Sequence, residues 1–245
     1  MARQEALRLA VLTSTLLSLQ APAASLHLSP VSLHMQAGQS AVGITLENQG
    51  DQPLTAQVRV FAWDQDLDED HLSAQQQIQV SPPMSLIPPH SIQVVRVIRL
   101  DRSPVHAEQT YRLLIDELPD PAVHVDRAVD IRLRYSVPLF ITPPEPPAGP
   151  VLTWQLSRHE GGLCLKVLNS GDTHAQISAV RILDSKGARV NVATGLLGYA
   201  LAGRQREWPI PVQAAVQPLD AVMVEATVNQ TSLRGPVVAA TDSGR

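Results

Sequence analysis

Between Ala128 and Phe140 the chain reads AVDIRLRYSVPLF, and apolar and polar residues alternate with a period of two. Val129, Ile131, Leu133, Tyr135, Val137 and Leu139 fall on one face of an extended strand, and Asp130, Arg132, Arg134 and Ser136 on the other. One strand therefore carries an apolar row and a short basic row, followed by a bend at Pro138 and a proline-rich segment. The same alternation recurs upstream. Leu26 and Leu28, then Val31, Leu33 and Met35, form a first strand broken at Pro30, a residue that cannot donate to a ladder. Val42, Ile44 and Leu46 give a second strand. Ala56, Val58, Val60 and Ala62 give a third, with Phe61 and Trp63 on its opposite face. Ile92–Leu100 and Gln109–Leu118 complete the set, the latter read as a strand because Tyr111, Leu113 and Ile115 alternate with Arg112, Leu114 and Asp116 before Pro119. The short connection from Asp120 to Ala128 makes this strand a neighbour of the one that follows.

The run Thr142-Pro143-Pro144-Glu145-Pro146-Pro147-Ala148-Gly149-Pro150 is a semi-rigid spacer and the clearest boundary in the chain. Strand-like alternation resumes after it, at Leu152-Trp154-Leu156, Leu163-Leu165-Val167, Ile177–Leu183, Trp208-Ile210-Val212 and Val222-Val224-Ala226-Val228. The turns Asn48-Gln49-Gly50-Asp51 and Asn169-Ser170-Gly171-Asp172 occupy similar places in the two halves. The pattern predicts an all-β protein of two immunoglobulin-like sandwiches, each of about 100 residues. Residues 25–141 form the first, 142–150 the linker and 151–245 the second.

Composition narrows the chemistry. The chain has 245 residues, 44% hydrophobic, with a net charge of −4, which argues against a nucleic-acid partner. Residues 1–24 read as a secretory signal peptide: Arg3 and Arg8 precede a short apolar run, and Ala21-Pro22-Ala23 offers a cleavage pattern. That run is too short to span a bilayer, so an exported protein with no direct membrane insertion is expected. A single cysteine, Cys164, precludes an internal disulfide and is expected to be a small buried apolar residue. The acidic run Asp64–Asp70 fails as a calcium loop because Glu69 and Gln75 stand where that loop needs Gly and Glu, which leaves a solvated hairpin. No nucleophile elbow, phosphate-binding loop or metal-binding histidine spacing is present, so no catalytic residues, cofactor or metal are assigned. Glu117 with Arg112 reads as a structural ion pair.

What remains is the basic row. Arg112, Arg132 and Arg134 lie on two strands expected to be adjacent, near the linker where a cleft forms, and arginine can hold a carboxylate in bidentate fashion.

Several stretches resemble the periplasmic pilus-assembly chaperones of the chaperone–usher type, nearest to the branch that serves spore-coat-like or archaic pili. They are LSPVSL, LENQGDQPLTAQVRVFAW, SPPMSLIPPHSIQVVRVIR, TYRLLIDELP and IRLRYSVPLF in the first half, with LNSGDTHAQIS and GLLGYALAGRQREWPI in the second. The resemblance implies a boomerang of two sandwiches and no enzyme activity. It also implies a periplasmic location, with incomplete immunoglobulin-like pilus subunits and an outer-membrane usher as partners. In donor-strand complementation the chaperone lends its last N-domain strand to the subunit's open groove. That role carries over to Val129, Ile131 and Leu133, with Val123 and Val125 as alternative donors and the register left open. The subunit's C-terminal carboxylate is held by cations in the inter-domain cleft. Alignment on IRLRY matches Arg132 to the family's basic position in that strand, with Arg112 and Arg134 as further candidates. Better-known members carry an anchoring arginine in the first strand, whereas HLSPVSLHM has none. The short connection and the lack of paired cysteines exclude the long-loop branch. The alternative reading is a secreted two-domain adhesive or structural pilus component. It fits less well, because a subunit should carry an extra donor extension and an incomplete sandwich.

Overall fold

The computed structural model describes residues 26–118, 132–145, 148–159, 162–184, 189–210 and 221–239. The chain begins with β1 (Leu26–Ser29), β2 (Leu33–Gln36), β3 (Ala41–Asn48), β4 (Leu54–Gln65) and β5 (Asp70–Ser73). It continues through β6 (Ile78–Ser81), β7 (Met84–Ile87), β8 (Ser91–Arg99), β9 (Gln109–Leu118) and β10 (Arg134–Thr142). These strands make two facing sheets. One has the order β1-β3-β8-β6. The other has the order β2-β10-β9-β4-β5, with β7 also on β4. The expected first strand is divided: β1 joins one sheet and β2 the other, with Pro30 at the crossing. Alternate residues of each strand, among them Leu28, Met35, Ile44, Val58, Val97, Leu113, Ile115 and Leu139, fill the space between the sheets. This is what a period-two pattern dictates once both inner faces are buried.

The second unit contains β11 (Leu152–His159), β12 (Gly162–Asn169), β13 (Ala175–Asp184) and β14 (Arg189–Asn191). It is completed by β15 (Leu196–Ala200), β16 (Gln205–Pro209), β17 (Ala221–Val228) and β18 (Thr231–Ala239). The order is β14-β13-β17-β18-β11-β12-β16, with β15 on β13. Its own core includes Trp154, Leu156, Leu165, Val167, Ile177, Ile182 and Val224. The protein is therefore all-β, two immunoglobulin-like sandwiches in sequence.

The two matching turns are built alike. Asn48 and Asn169 are both fully buried. Asn48 Nδ2 donates to the Gln52 carbonyl at 2.7 Å and to the Ile87 carbonyl at 3.1 Å, while its Oδ1 accepts from the Gly50 N–H at 3.0 Å. Asn169 Nδ2 donates to the Thr173 carbonyl at 2.7 Å and to the Ala200 carbonyl at 2.9 Å, while its Oδ1 accepts from the Gly171 N–H at 3.0 Å. Each asparagine closes its own turn and ties it to a distant strand end. Gly171 is required by space: a Cβ there would lie 2.2 Å from the Gly149 carbonyl of the linker.

Two expectations are corrected. Pro138 does not bend the chain but lies within β10, opposite Arg112. Cys164 is half-buried rather than buried, because Leu165 and Val167 take the core parity of β12 and turn Cys164 to the other face. Burial, with Glu207 adding, pushes its thiol pKa up, away from a reactive thiolate.

Candidate functional site

The outer face of the β2-β10-β9-β4-β5 sheet changes character along its length. On β10, Arg134 and Ser136 are exposed, while Pro138 and Phe140, with the same parity, are buried. On β4, Arg59 and Phe61 are half-buried and Trp63 and Gln65 are buried. The buried end is where the second unit docks.

A separate apolar cluster of Trp63, Phe140, Tyr199 and Leu201 joins the two units there. Trp63 meets Tyr199 edge-on at 5.4 Å, and the His174 ring stacks on Phe140 at 3.4 Å, 4° from parallel. Polar contacts lock the same seam. The Gln65 amide donates to the Tyr199 carbonyl at 3.1 Å and accepts from the Leu201 N–H at 2.9 Å. Arg204 grips the Asp64 carboxylate through two nitrogens, at 2.6 and 3.1 Å, and holds that carboxyl below its ordinary pKa. The Glu108 side chain is fully buried; it accepts from the His174 N–H at 2.7 Å and pairs with His174 Nδ1 at 2.9 Å.

His34 completes the stack, 5.5 Å from Phe140 and 6.0 Å from His174. Burial pushes its imidazole below the usual histidine value, His174 lowers it further, and Glu108 opposes both. A lowered folded pKa favours the neutral ring. The contribution to stability is therefore complete above pH about 6.5 and is lost as pH falls through the lower folded value. Thermal melts between pH 7.5 and 5 should show a fall in midpoint that His34→Gln reduces. An unchanged pH slope in that variant would remove His34 from the account.

Arg112 lies in this seam. It is 9% exposed, its guanidinium 3.6 Å above the Trp63 ring and 5.1 Å from the Tyr199 ring. Desolvation lowers its pKa, against the pull of Asp70 and Tyr199. Its ion pair with Asp70 spans 3.6 Å, longer than a hydrogen bond. Asp70 is itself held by the Gln65 amide at 2.8 Å. Of the acidic run, then, Asp64 and Asp70 work at the seam, while Asp66, Asp68 and Glu69 are exposed, as a solvated hairpin requires. The expected Glu117–Arg112 pair does not form. Those positions have opposite parity on β9, and Glu117 accepts from the Tyr135 hydroxyl at 3.3 Å.

The three arginines of the expected anchor are divided. Arg112 stands opposite Pro138 at the seam, whereas Arg134 stands opposite Asp116, about 13 Å further along β9. Arg134 Nε donates to Asp116 Oδ1, and Arg59 Nη2 donates to Asp116 Oδ2 at 2.7 Å. Arg132 precedes β10 and lines, with Gln57, Leu118 and Leu133, a groove of about 440 Å³ at this far end. Leu133 is half-buried, and its carbonyl accepts from the Glu117 N–H at 3.2 Å. Val129 and Ile131, with the alternatives Val123 and Val125, lie outside the described residues, as does the 1–24 segment.

One edge is open. β9 pairs with β10 from Arg134 to Ile141, but β2 covers the other side only from Leu139 to Thr142. Among the described residues nothing pairs with that side from Arg134 to Pro138. Pro138, which lacks an N–H, is tolerated at such an edge. Among the described residues there is no group of three or more His, Cys, Asp or Glu side chains that could hold a metal, and no helix is long and apolar enough to cross a membrane.

Comparisons with known proteins agree with this architecture. The chain is similar over its length to CsuC, crystallised with CsuE in the chaperone–tip adhesion subunit pre-assembly complex from archaic chaperone–usher Csu pili of Acinetobacter baumannii. The identity is 24%, covering 89% of this chain and 100% of that one, with a TM-score of 0.67. The SafB chaperone with the SafA pilin of Salmonella enterica gives 18% identity, 86% and 96% coverage and a TM-score of 0.61. The E. coli chaperone DraB gives 20% identity, 87% and 96% coverage and a TM-score of 0.59. At these identities the likeness establishes the fold. No curated protein sequence matches the chain. Residues 25–147 match the family described as "Pili and flagellar-assembly chaperone, PapD N-terminal domain", and the chain belongs to that family of pilus-assembly chaperones.

Proposed function

We propose that the protein is a periplasmic chaperone that captures incomplete immunoglobulin-like pilus subunits by donor-strand complementation and delivers them to an outer-membrane usher. Residues 1–24 serve as its export signal, and 25–141 and 151–245 as domains joined by 142–150. The observation that carries this reading is the open edge of β10 from Arg134 to Pro138, entered directly from Leu133. An unpaired edge beside apolar side chains is what a subunit lacking a strand needs, because its own groove and edge are an aggregation template. Val129, Ile131 and Leu133 are assigned as donors, and each large side chain buried in the subunit contributes roughly 1.5–3 kcal/mol. The CsuC–CsuE and SafB–SafA structures, chaperones bound to a tip adhesion subunit and a pilin, support the assignment by analogy.

Arg112 is the anchor for the subunit's C-terminal carboxylate. It is a desolvated cation whose ion pair with Asp70 is loose, so an incoming carboxylate can displace Asp70. Arg132 and Arg134 stand too far along the sheet to share that carboxylate. Exchange of one strand for another drives capture and hand-over, with no nucleotide or metal required.

Replacing both Val129 and Ile131 by aspartate tests the donor assignment. The variant should keep the wild-type melting profile and lose subunit capture in a periplasmic co-purification. Undiminished capture would place the donor strand elsewhere.

A further inference from the structure

The far end of the same sheet face holds a second cationic station that the carboxylate anchor does not use. We propose that Arg59 and Arg134, bridged by Asp116, form a receptor for an acidic side chain on the subunit strand that docks along β10; the inference rests on the docking mode proposed above.

The three residues come from three adjacent strands. Asp116 lies opposite Gln57 on β4 and opposite Arg134 on β10, so its carboxylate sits centrally between the guanidiniums of Arg59 and Arg134. Its side chain is 12% exposed, whereas those of Arg59 and Arg134 are 42% and 62% exposed. The anion forms the floor and the cations form the rim. Burial raises the Asp116 pKa, yet hydrogen bonds from Arg134 and Arg59 hold the carboxyl below its ordinary value, so the floor carries one charge against two on the rim. Arg59 Nε is buried without a hydrogen-bond partner. The groove they line is walled by Leu118 and Leu133, and apolar walls strengthen the field of the excess cation. Arg132 and Glu117 also line it, with interactions of their own.

The open edge defines the occupant. A strand added beside Arg134–Pro138 places a side chain about 5 Å from Arg134, the distance at which opposite charges on paired strands attract. If the strand's terminal carboxylate reaches Arg112, opposite Pro138, the strand runs parallel to β10. Its acidic residue then lies about four positions before its end, since 13 Å of strand separates the two stations. The receptor thus checks register: a slip of one residue would turn the acid to the other face.

The test uses two synthetic ten-residue peptides of alternating valine and threonine with a free carboxyl terminus. They carry Glu or Gln four positions before the end, and binding to the mature chain is measured at low and high salt. The Glu peptide should bind about fivefold more tightly, an advantage lost in 0.5 M NaCl and in Arg134→Gln. Arg112→Ala should weaken both peptides and leave the Glu preference intact, which separates this station from the anchor. Equal binding of the two peptides to the wild-type chain would overturn the receptor while leaving the docking mode standing. Failure of both peptides to bind would overturn the docking mode and the receptor together.

Discussion

Arg112→Ala is expected to reduce subunit capture about a hundredfold while the chaperone stays folded. Truncating one member of a buried, hydrogen-bonded charge pair at an interface costs about 2–5 kcal/mol, and a hundredfold corresponds to about 2.7 kcal/mol. The cost to the free protein is smaller. The Asp70 side chain left behind is 38% exposed and still hydrogen-bonded to Gln65, so its charge remains solvated. What is lost is mainly the packing of the guanidinium on Trp63. Asp70→Asn should act in the opposite sense, tightening capture several-fold, because the resident competitor for Arg112 is neutralised while the Gln65 contact can persist. Titration of the purified chain with a peptide bearing a free or an amidated carboxyl terminus checks both. A free-acid preference that survives in Arg112→Ala would move the anchor to another cation.

The largest stability effects are expected at Asn48 and Asn169. Asn48→Ala strands the Gln52 and Ile87 carbonyls and the Gly50 N–H. Asn169→Ala strands the Thr173 and Ala200 carbonyls and the Gly171 N–H. A buried polar group left without its partner costs about 1–3 kcal/mol, and several share each asparagine, so a loss of about 3 kcal/mol per variant is expected. For a domain of this size that lowers its melting midpoint by about 10 °C or more. Each substitution should act mainly on its own sandwich, seen in calorimetry as one transition shifting while the other holds. Asn169→Ala should also loosen the seam, because Ala200 lies between Tyr199 and Leu201, which contact the first unit. A shift of less than 2 °C in both variants would show that water replaces the amides.

Much of the fold was legible in the alternation of residues. Tyr135, Val137 and Leu139 take the core side of β10 as their parity requires, and Arg134 and Ser136 take the other. The paired asparagine turns signalled two sandwiches of one kind, and the hydrogen bonds of Asn48 and Asn169 give the physical reason. Parity could not say which end of a sheet face meets the second unit. Arg112, Arg132 and Arg134 fall at positions of one parity on two neighbouring strands, so they read as one basic patch. Only the strand register, Pro138 with Arg112 and Arg134 with Asp116, separates them. The alignment on IRLRY pointed Arg132 to the cleft, and it lies instead beside the far groove. Asp64 and Asp70 were hidden in a run that looked uniformly solvated, because their partners Arg204, in the turn before β16, and Arg112, on β9, are distant in sequence. Trp63 was visible as an apolar residue on the wrong face of β4. Such a residue signals a further contact, but Phe140 and Tyr199 could not be named as its partners without the fold.

In the proposed function the edge of β10 captures pilus subunits. The most direct measurement is native mass spectrometry of the mature chain isolated from the periplasm of cells that also express exported pilus subunits. The expected result is a one-to-one complex with a small subunit that aggregates when expressed alone. Recovery of the chain without a subunit, under conditions where the subunits are made and exported, would contradict it and favour a structural pilus component.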